Sequence, residues 1–305
     1  MGRARMLWLL LPIAGLAELA LFVHDTHKAP RIDEWQALRA EVSRLKGPTD
    51  LVVVAPEWAD PIARFAFGDA LLPIADLARP DVAAYARAVE VDALGASSAE
   101  LEGWSVREER RSGRFVLRVR ENPKPAKVLF SFVEHAQPPS LSVKFATEQE
   151  GAECLFTRRA RFSAGGLHGH LGFPRERYEC GGREDFFVGV TILDDQRYRP
   201  RRCIWAQASG QHVNLSYEAV PIGRKIYGYS GLSYFLNRDG RQGPVKLTAR
   251  VAGEEVGHSE LHSDGSWLPF EFDTTRFAGQ TADVQFVVAH DGYDEHQFCF
   301  YADTR

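Results

Sequence analysis

The sequence predicts an α+β chain with three parts: an N-terminal transmembrane helix, a small α/β domain and a C-terminal antiparallel β-sandwich. Three observations carry this. Met6–Val23 is an apolar run with Arg3 and Arg5 before it. Residues 33–125 mix helical periodicity with a wholly apolar β-branched run. Residues 126–305 are strand-like almost throughout, with Gly, Pro and Asp between the strands. The expected parts are therefore 1–32, 33–125 and 126–305.

Met6–Val23 (MLWLLLPIAGLAELALFV) is just long enough to cross a hydrocarbon core of ~30 Å. The arginines before it and Asp25 after it orient the chain with its N-terminus in the cytoplasm and its bulk outside. Pro12 is tolerated with a kink, and Glu18 is near enough to the far end to reach the interface. A cleaved signal peptide is the rival reading, but no Ala-x-Ala site follows the run.

From Asp33 to Lys46, Trp35, Leu38, Val42 and Leu45 share one helical face, and Gly47-Pro48 stops the helix. Leu51–Val54 reads as a strand buried on both faces. Asp60-Pro61 opens a helix through Phe67, and a Pro-led helix is expected over Pro80–Arg87 before a second strand, Ala88–Ala93. This order implies parallel strands. Ser105–Arg110 and Arg114–Arg120 form a hairpin about Ser112-Gly113, and Asn122–Pro125 is the linker. Beyond it, Val128–Val133, Phe187–Leu193, Val245–Val251, Phe270–Asp273 and Val284–Val288 read as sandwich strands.

The 305 residues carry a net charge of −4 and 45% hydrophobic side chains, with acids and bases interspersed. Nucleic acid is therefore not an expected partner. The densest basic stretch, Arg197–Arg202, reads as a solvated strand edge or turn. Four cysteines, Cys154, Cys180, Cys203 and Cys299, fall in one region with no Cys-x-x-Cys pair. An even set of this kind fits two disulfides in an oxidising compartment rather than zinc. Four cysteines allow three pairings, and spacing alone does not choose between them. The expected pairing is Cys154–Cys180, closing a local loop, and Cys203–Cys299, tying a strand to the closing strand.

The last sixty residues contain a strand–turn–strand at Pro244–Val256, then Trp267, Phe270–Asp273, Phe277-Ala-Gly-Gln280, Val284–Val288 and Phe298–Asp303. This series resembles the closing strands of galactose-binding-like jelly rolls, with Phe277–Gln280 as their turn and Tyr301-Ala-Asp303 as their close. The resemblance covers about a fifth of the chain. It implies a jelly-roll fold and says little of the ligand, because such domains bind sugars, lipids or proteins. Separately, Asp50–Trp58, Arg64–Asp69 and Tyr85–Val91 are similar to the extracytoplasmic α/β segment of polyprenyl-phosphate-dependent glycosyltransferases of the mannosyltransferase type. The multi-helix core of those enzymes is absent, so the resemblance implies a glycan-assembly context rather than transferase activity.

Residues that carry chemistry are few. His168 and His170 in Gly165–Gly172 are weak metal candidates, two apart on a Gly-rich stretch that reads more simply as a solvated loop. His258 and His262 share a strand face without converging. Glu57 and Asp60 follow the first strand, where α/β sheets place ligands, yet read more simply as a solvated side chain and a helix cap. No Gly-x-Ser-x-Gly elbow occurs. No cofactor is expected. Rings suited to stacking on a sugar are Trp205, Tyr227, Tyr229, Tyr234, Trp267, Tyr293 and Tyr301. Tyr227-Gly-Tyr229 sets two rings on one strand face. Trp205, Tyr227 and Tyr229 are therefore the expected ligand-binding rings, with Asn237, Arg238 and Asp239 on the next turn supplying hydrogen bonds.

The expected protein is thus a membrane-anchored extracytoplasmic envelope protein, periplasmic or cell-surface, binding carbohydrate or a partner protein without catalysis. A glycan-acting enzyme with its site at the domain junction, or a structural subunit of a membrane assembly, are the alternatives.

Overall fold

The structure, a computed structural model, describes residues 12–23, 29–146, 151–160, 173–180, 186–195, 198–206, 212–232, 244–262, 267–290 and 298–305. The chain divides into two units: Met1–Asp76 with Tyr85–Pro125, and Leu77–Ala84 with Ala126–Arg305.

At the start of the first unit, residues 12–23 are helical, with Ile13, Leu16, Leu19, Leu21 and Phe22 each more than half exposed. Residues 6–11 of the expected membrane span lie outside the described residues. Among the described residues, no helix is long and apolar enough to cross a membrane.

Helix α1 (Ile32–Leu45) buries Trp35, Leu38 and Val42, one stripe at helical spacing. Strand β1 (Leu51–Ala55) is buried at every position. A one-turn 3-10 helix, Glu57–Ala59, runs into α2 (Asp60–Phe67), whose Ala63, Ala66 and Phe67 face inward. Trp35 packs edge-on against Phe67 at 5.8 Å and Phe115 at 4.6 Å. Strand β2 (Arg87–Ala93) pairs parallel with β1. The hairpin β3 (Ser105–Ser112) and β4 (Phe115–Glu121) completes a mixed sheet of order β1-β2-β4-β3.

One face of β2 carries Glu90 and Asp92, both buried. Glu90 accepts from Ser98 N and Arg120 Nε, each at 2.7 Å, and Arg118 Nη1 donates to Asp92 at 3.0 Å. Paired this way, the carboxylates avoid the cost of a bare buried charge.

The second unit is a sandwich of two antiparallel sheets. Its strands are β5 (Phe130–Ser131), β6 (Leu141–Ala146), β7 (Gly151–Glu153), β8 (Leu155–Thr157), β9 (Arg177–Glu179), β10 (Phe187–Asp194) and β11 (Pro200–Ala206). They continue as β12 (His212–Pro221), β13 (Lys225–Leu232), β14 (Val245–Val251), β15 (Glu254–Leu261), β16 (Leu268–Asp273), β17 (Thr281–His290) and β18 (Phe298–Thr304). One sheet runs β16-β13-β18-β11-β10-β9-β8, with β5 also on β18; the other runs β15-β14-β17-β12-β6-β7. Alternate residues of both point inward, as a half-buried sheet requires. Phe132 is the hub of this core, edge-on to Tyr217 at 4.9 Å and Phe286 at 4.8 Å. The disulfides are Cys154–Cys180 and Cys203–Cys299, the pairing expected from the sequence.

Two local expectations are corrected. Val128–Val133 contributes only the two-residue β5. Pro80–Arg87 is not a helix, because its backbone and side chains bond residues distant in the chain. Asp81 folds a turn by accepting from Ala83 N at 2.8 Å. The carbonyls of Pro80 and Ala83 accept from Arg201 Nη1 and Ala126 N at 3.3 and 2.7 Å. These long-range partners displace the helical ladder.

Candidate functional site

The outward face of β16, β13 and β18 carries a hydrogen-bonded polar network. Register fixes its layout. Tyr227 lies between Glu271 and Asp303, Tyr229 between Pro269 and Tyr301, and Lys225 beside Asp273. Residues two apart on a strand share a face, so Tyr227 and Tyr229 stand together on β13. Tyr301, Asp303 and Arg305 stand together at the end of the chain.

The two tyrosines are half-buried. Their rings meet edge-to-face, 5.5 Å apart at 85°, and Tyr227 Oη donates to Tyr229 Oη at 2.8 Å. They therefore form a stepped pair rather than one flat shelf. Gly231 continues the row. Its missing side chain makes room for Trp267, since a Cβ there would stand 2.7 Å from the indole. Trp267 thus extends the aromatic line along β13.

Behind the tyrosines is a charged network. Arg305 donates Nε to Asp303 Oδ1 at 2.6 Å and Nη2 to Oδ2 at 2.8 Å. Its Nη2 also reaches Asp81 at 3.1 Å, and Tyr301 Oη donates to Asp303 at 2.9 Å. The guanidinium carbon lies 4.2 Å from the Tyr227 ring centroid, a cation–π contact. Asp303 is fully buried, and that desolvation raises its pKa against the lowering pull of Arg305. Desolvation opposes the charge on Arg305, but its hydrogen bond to Asp303 and the nearby Asp81 hold it ionised, so its pKa rises. Burial and its bond to Tyr229 raise the Tyr227 hydroxyl, and burial with the Asp303 charge raises Tyr301. At neutral pH both phenols are neutral donors.

A strap made of Leu77–Ala84 lies against this sheet. Arg201 Nη1 donates to the carbonyls of Arg79 and Pro80 at 3.2 and 3.3 Å, and Arg201 is itself held by Asp195 at 3.1 Å. The basic stretch expected to be solvated is therefore partly buried: the Arg201 side chain is 18% exposed. The strap's backbone carbonyls and the Asp195 carboxylate attract it.

Trp205 leaves the proposed platform. It faces outward on β11 but is fully buried. It stacks on Phe187 at 5.2 Å in a second small core with Leu193, Phe173, Trp267 and the Cys203–Cys299 bridge. Side chains far away in sequence roof it, and its own strand pattern carried no sign of them. Asn237, Arg238, Asp239, Tyr234 and Tyr293 lie outside the described residues, as do His168 and His170. His258 and His262 stay exposed beside Glu255 and Glu260, at 3.4 and 3.9 Å. Among the described residues no three His, Cys, Asp or Glu side chains converge as a metal site would require. Asp303 and Arg305 were not among the expected site residues; their period-two spacing from Tyr301 was the signal that pointed to them.

The fold and surface define an antiparallel β-sandwich with a tyrosine-lined outer sheet. No family model matches the chain, and no curated protein matches it. Solved structures do resemble it. One is CBM51 from Clostridium perfringens GH95 in complex with methyl-galactose, at 13% identity and TM-score 0.28, covering 38% of this chain and 81% of that one. Another is CBM51-2 with the INT domains of C. perfringens ZmpB, at 13% identity and TM-score 0.29, covering 58% of this chain and 40% of that one. A third, from work on carbohydrate-binding modules of the β-sandwich superfamily, has 7% identity and TM-score 0.31, covering 62% of this chain and 66% of that one.

Proposed function

We propose that this chain is a membrane-anchored extracytoplasmic envelope protein whose sandwich binds carbohydrate without catalysis, in a glycan-assembly context. The observation that carries the reading is the half-buried Tyr227–Tyr229 pair, hydroxyls 2.8 Å apart, on the open face of β13. A sugar presents an apolar C–H face and a ring of hydroxyls. An aromatic edge supports the first, and a phenol pair addresses the second. Tyr229 Oη accepts from Tyr227 and keeps its own proton to donate outward.

The charges around the pair select among sugars. Four cations, Arg224, Lys225, Arg276 and Arg305, stand among four carboxylates, Asp81, Glu271, Asp273 and Asp303. Balanced in this way, these charges favour neither an anionic nor a cationic ligand, and the proposed ligand is a neutral glycan. Asn237, Arg238 and Asp239, on the segment after β13, are its proposed further hydrogen-bonding partners. Two disulfides support an oxidising compartment. Met6–Val23 is the proposed anchor, oriented by Arg3 and Arg5.

A glycan array probed with the full chain tests the reading. Neutral glycans should bind, and Tyr229→Ala should weaken that binding near tenfold while thermal stability changes little. Folded protein that binds no glycan, or binding that ignores Tyr229→Ala, overturns it.

A further inference from the structure

Trp58 and Phe65 are 66% and 76% exposed, although they are large aromatic side chains on an otherwise well-packed unit. Trp58 sits in the 3-10 turn Glu57–Ala59, which runs without a break into α2. Seven residues make nearly two helical turns, so the two rings lie on one side of the rod. Pro61, exposed, and Ile62, half-buried, lie three and four residues after Trp58 and fill the stripe between the rings. The opposite side, Ala59, Ala63, Ala66 and Phe67, is the buried one. A surface helix normally turns charge to the outside. This one confines its charges, Glu57, Asp60 and Arg64, to the edge between two apolar sides.

We propose that the Trp58–Pro61–Ile62–Phe65 face lies in the headgroup region of the bilayer, beside the anchor, and holds the first unit flat against the membrane. The inference rests on the anchor reading above. The length of the tether argues for lipid as the occupant. The apolar segment ends at Val23 and α1 begins at Ile32, and eight intervening residues reach at most ~28 Å. The unit is thereby confined to the membrane surface. Trp35, in the first turn of α1, packs on Phe67, in the last turn of α2, at 5.8 Å, so the tether enters at the end of α2 that carries Phe65, while Phe67 itself turns to the buried side. Ile32, at the junction, is itself 37% exposed and apolar. The residue types fit as well, because tryptophan and other aromatic rings favour the membrane–water interface, where a short amphipathic helix lies in the plane.

The four native cysteines are all paired, so a single introduced thiol labels cleanly. Full-length Pro61→Cys carrying an environment-sensitive fluorophore is reconstituted with vesicles of phosphatidylcholine and phosphatidylglycerol. Flotation reports the anchor, and the fluorophore reports the face. The expected result is co-flotation, with label emission shifted to the blue and quenched by nitroxides at headgroup depth. In Trp58→Ser/Phe65→Ser, flotation persists and the blue shift is lost. A chain that floats while its label keeps aqueous emission overturns this inference and leaves the anchor standing. A chain that does not float overturns both. A blue shift already present without lipid means that protein covers the face, and likewise overturns the inference.

Discussion

Arg305 and Asp303, two residues apart at the end of β18, form a forked ion pair through hydrogen bonds of 2.6 and 2.8 Å. The pair is nearly sealed, with side-chain exposures of 8% and 0%. It sits directly behind the tyrosines of the candidate site, so its integrity determines the footing of Tyr227.

Removing one partner of such a pair leaves the other buried and uncompensated, at a cost of about 3–5 kcal/mol. Arg305→Ala is expected to lose stability on that scale. The loss should depend on pH. Burial already raises the Asp303 pKa, and without the guanidinium it rises further. A raised folded-state pKa means that the neutral form is the favoured one, so the penalty is present above that pKa and relieved as pH falls through it. Urea unfolding should show the gap between wild type and variant narrowing from neutral toward mildly acidic pH. A gap that stays constant would show that Asp303 is not the stranded charge.

Four tyrosines, Tyr178, Tyr217, Tyr227 and Tyr301, have pKa values pushed above the ordinary 10, chiefly by burial. Their stabilisation is complete below pH 10 and is lost as pH rises from there toward the folded values, because only the unfolded chain can ionise them in that window. Ultraviolet difference titration should show these four ionising together with alkaline unfolding. Smooth titration of all nine tyrosines in the folded protein would contradict their burial.

The disulfides close loops of different length, with sequence separations of 26 and 96 residues. In the loop-entropy model these correspond to ~3.5 and ~4.7 kcal/mol. Cys203→Ala/Cys299→Ala is therefore expected to melt below Cys154→Ala/Cys180→Ala. Differential scanning calorimetry of the two variants decides it, and the reverse order would point to native packing around Cys154 as the larger factor.

Trp205 and Tyr229 separate stability from binding. Trp205→Ala empties a fully buried site and should cost about 3–5 kcal/mol. Tyr229→Ala, on the half-open face, should weaken neutral-glycan binding by about 1–2 kcal/mol, near tenfold, with a smaller change in melting temperature. Calorimetric binding and melting on the same preparations give both numbers. If Tyr229→Ala melts as low as Trp205→Ala, the tyrosine is a core residue.

Much of the sandwich was legible because a half-buried strand writes its two faces into alternate residues. Val245–Val251 was placed from its sequence pattern, and Phe187–Leu193 needed only Asp194 added. Leu51–Val54 was equally plain, since a parallel strand covered on both sides reads as an unbroken apolar run. Pro80–Arg87 was misread because its local pattern suits a helix. Among its hydrogen-bond partners, Arg201, Ala126 and Arg305 lie more than forty residues away in the chain.

By itself the sequence determined which residues alternate, where most turns fall and that four cysteines form an even set suited to two bridges. The first two are local properties of backbone geometry and side-chain period. Only the tertiary structure decided which outward-facing rings see solvent. Trp205 and Tyr229 occupy the same face of one sheet. Trp205 is sealed by Phe173, Phe187 and Trp267, whereas among the described residues no such roof covers Tyr229, which is half-buried. Exposure depends on what packs against a residue from elsewhere in the chain, and the period of its own strand holds no record of that.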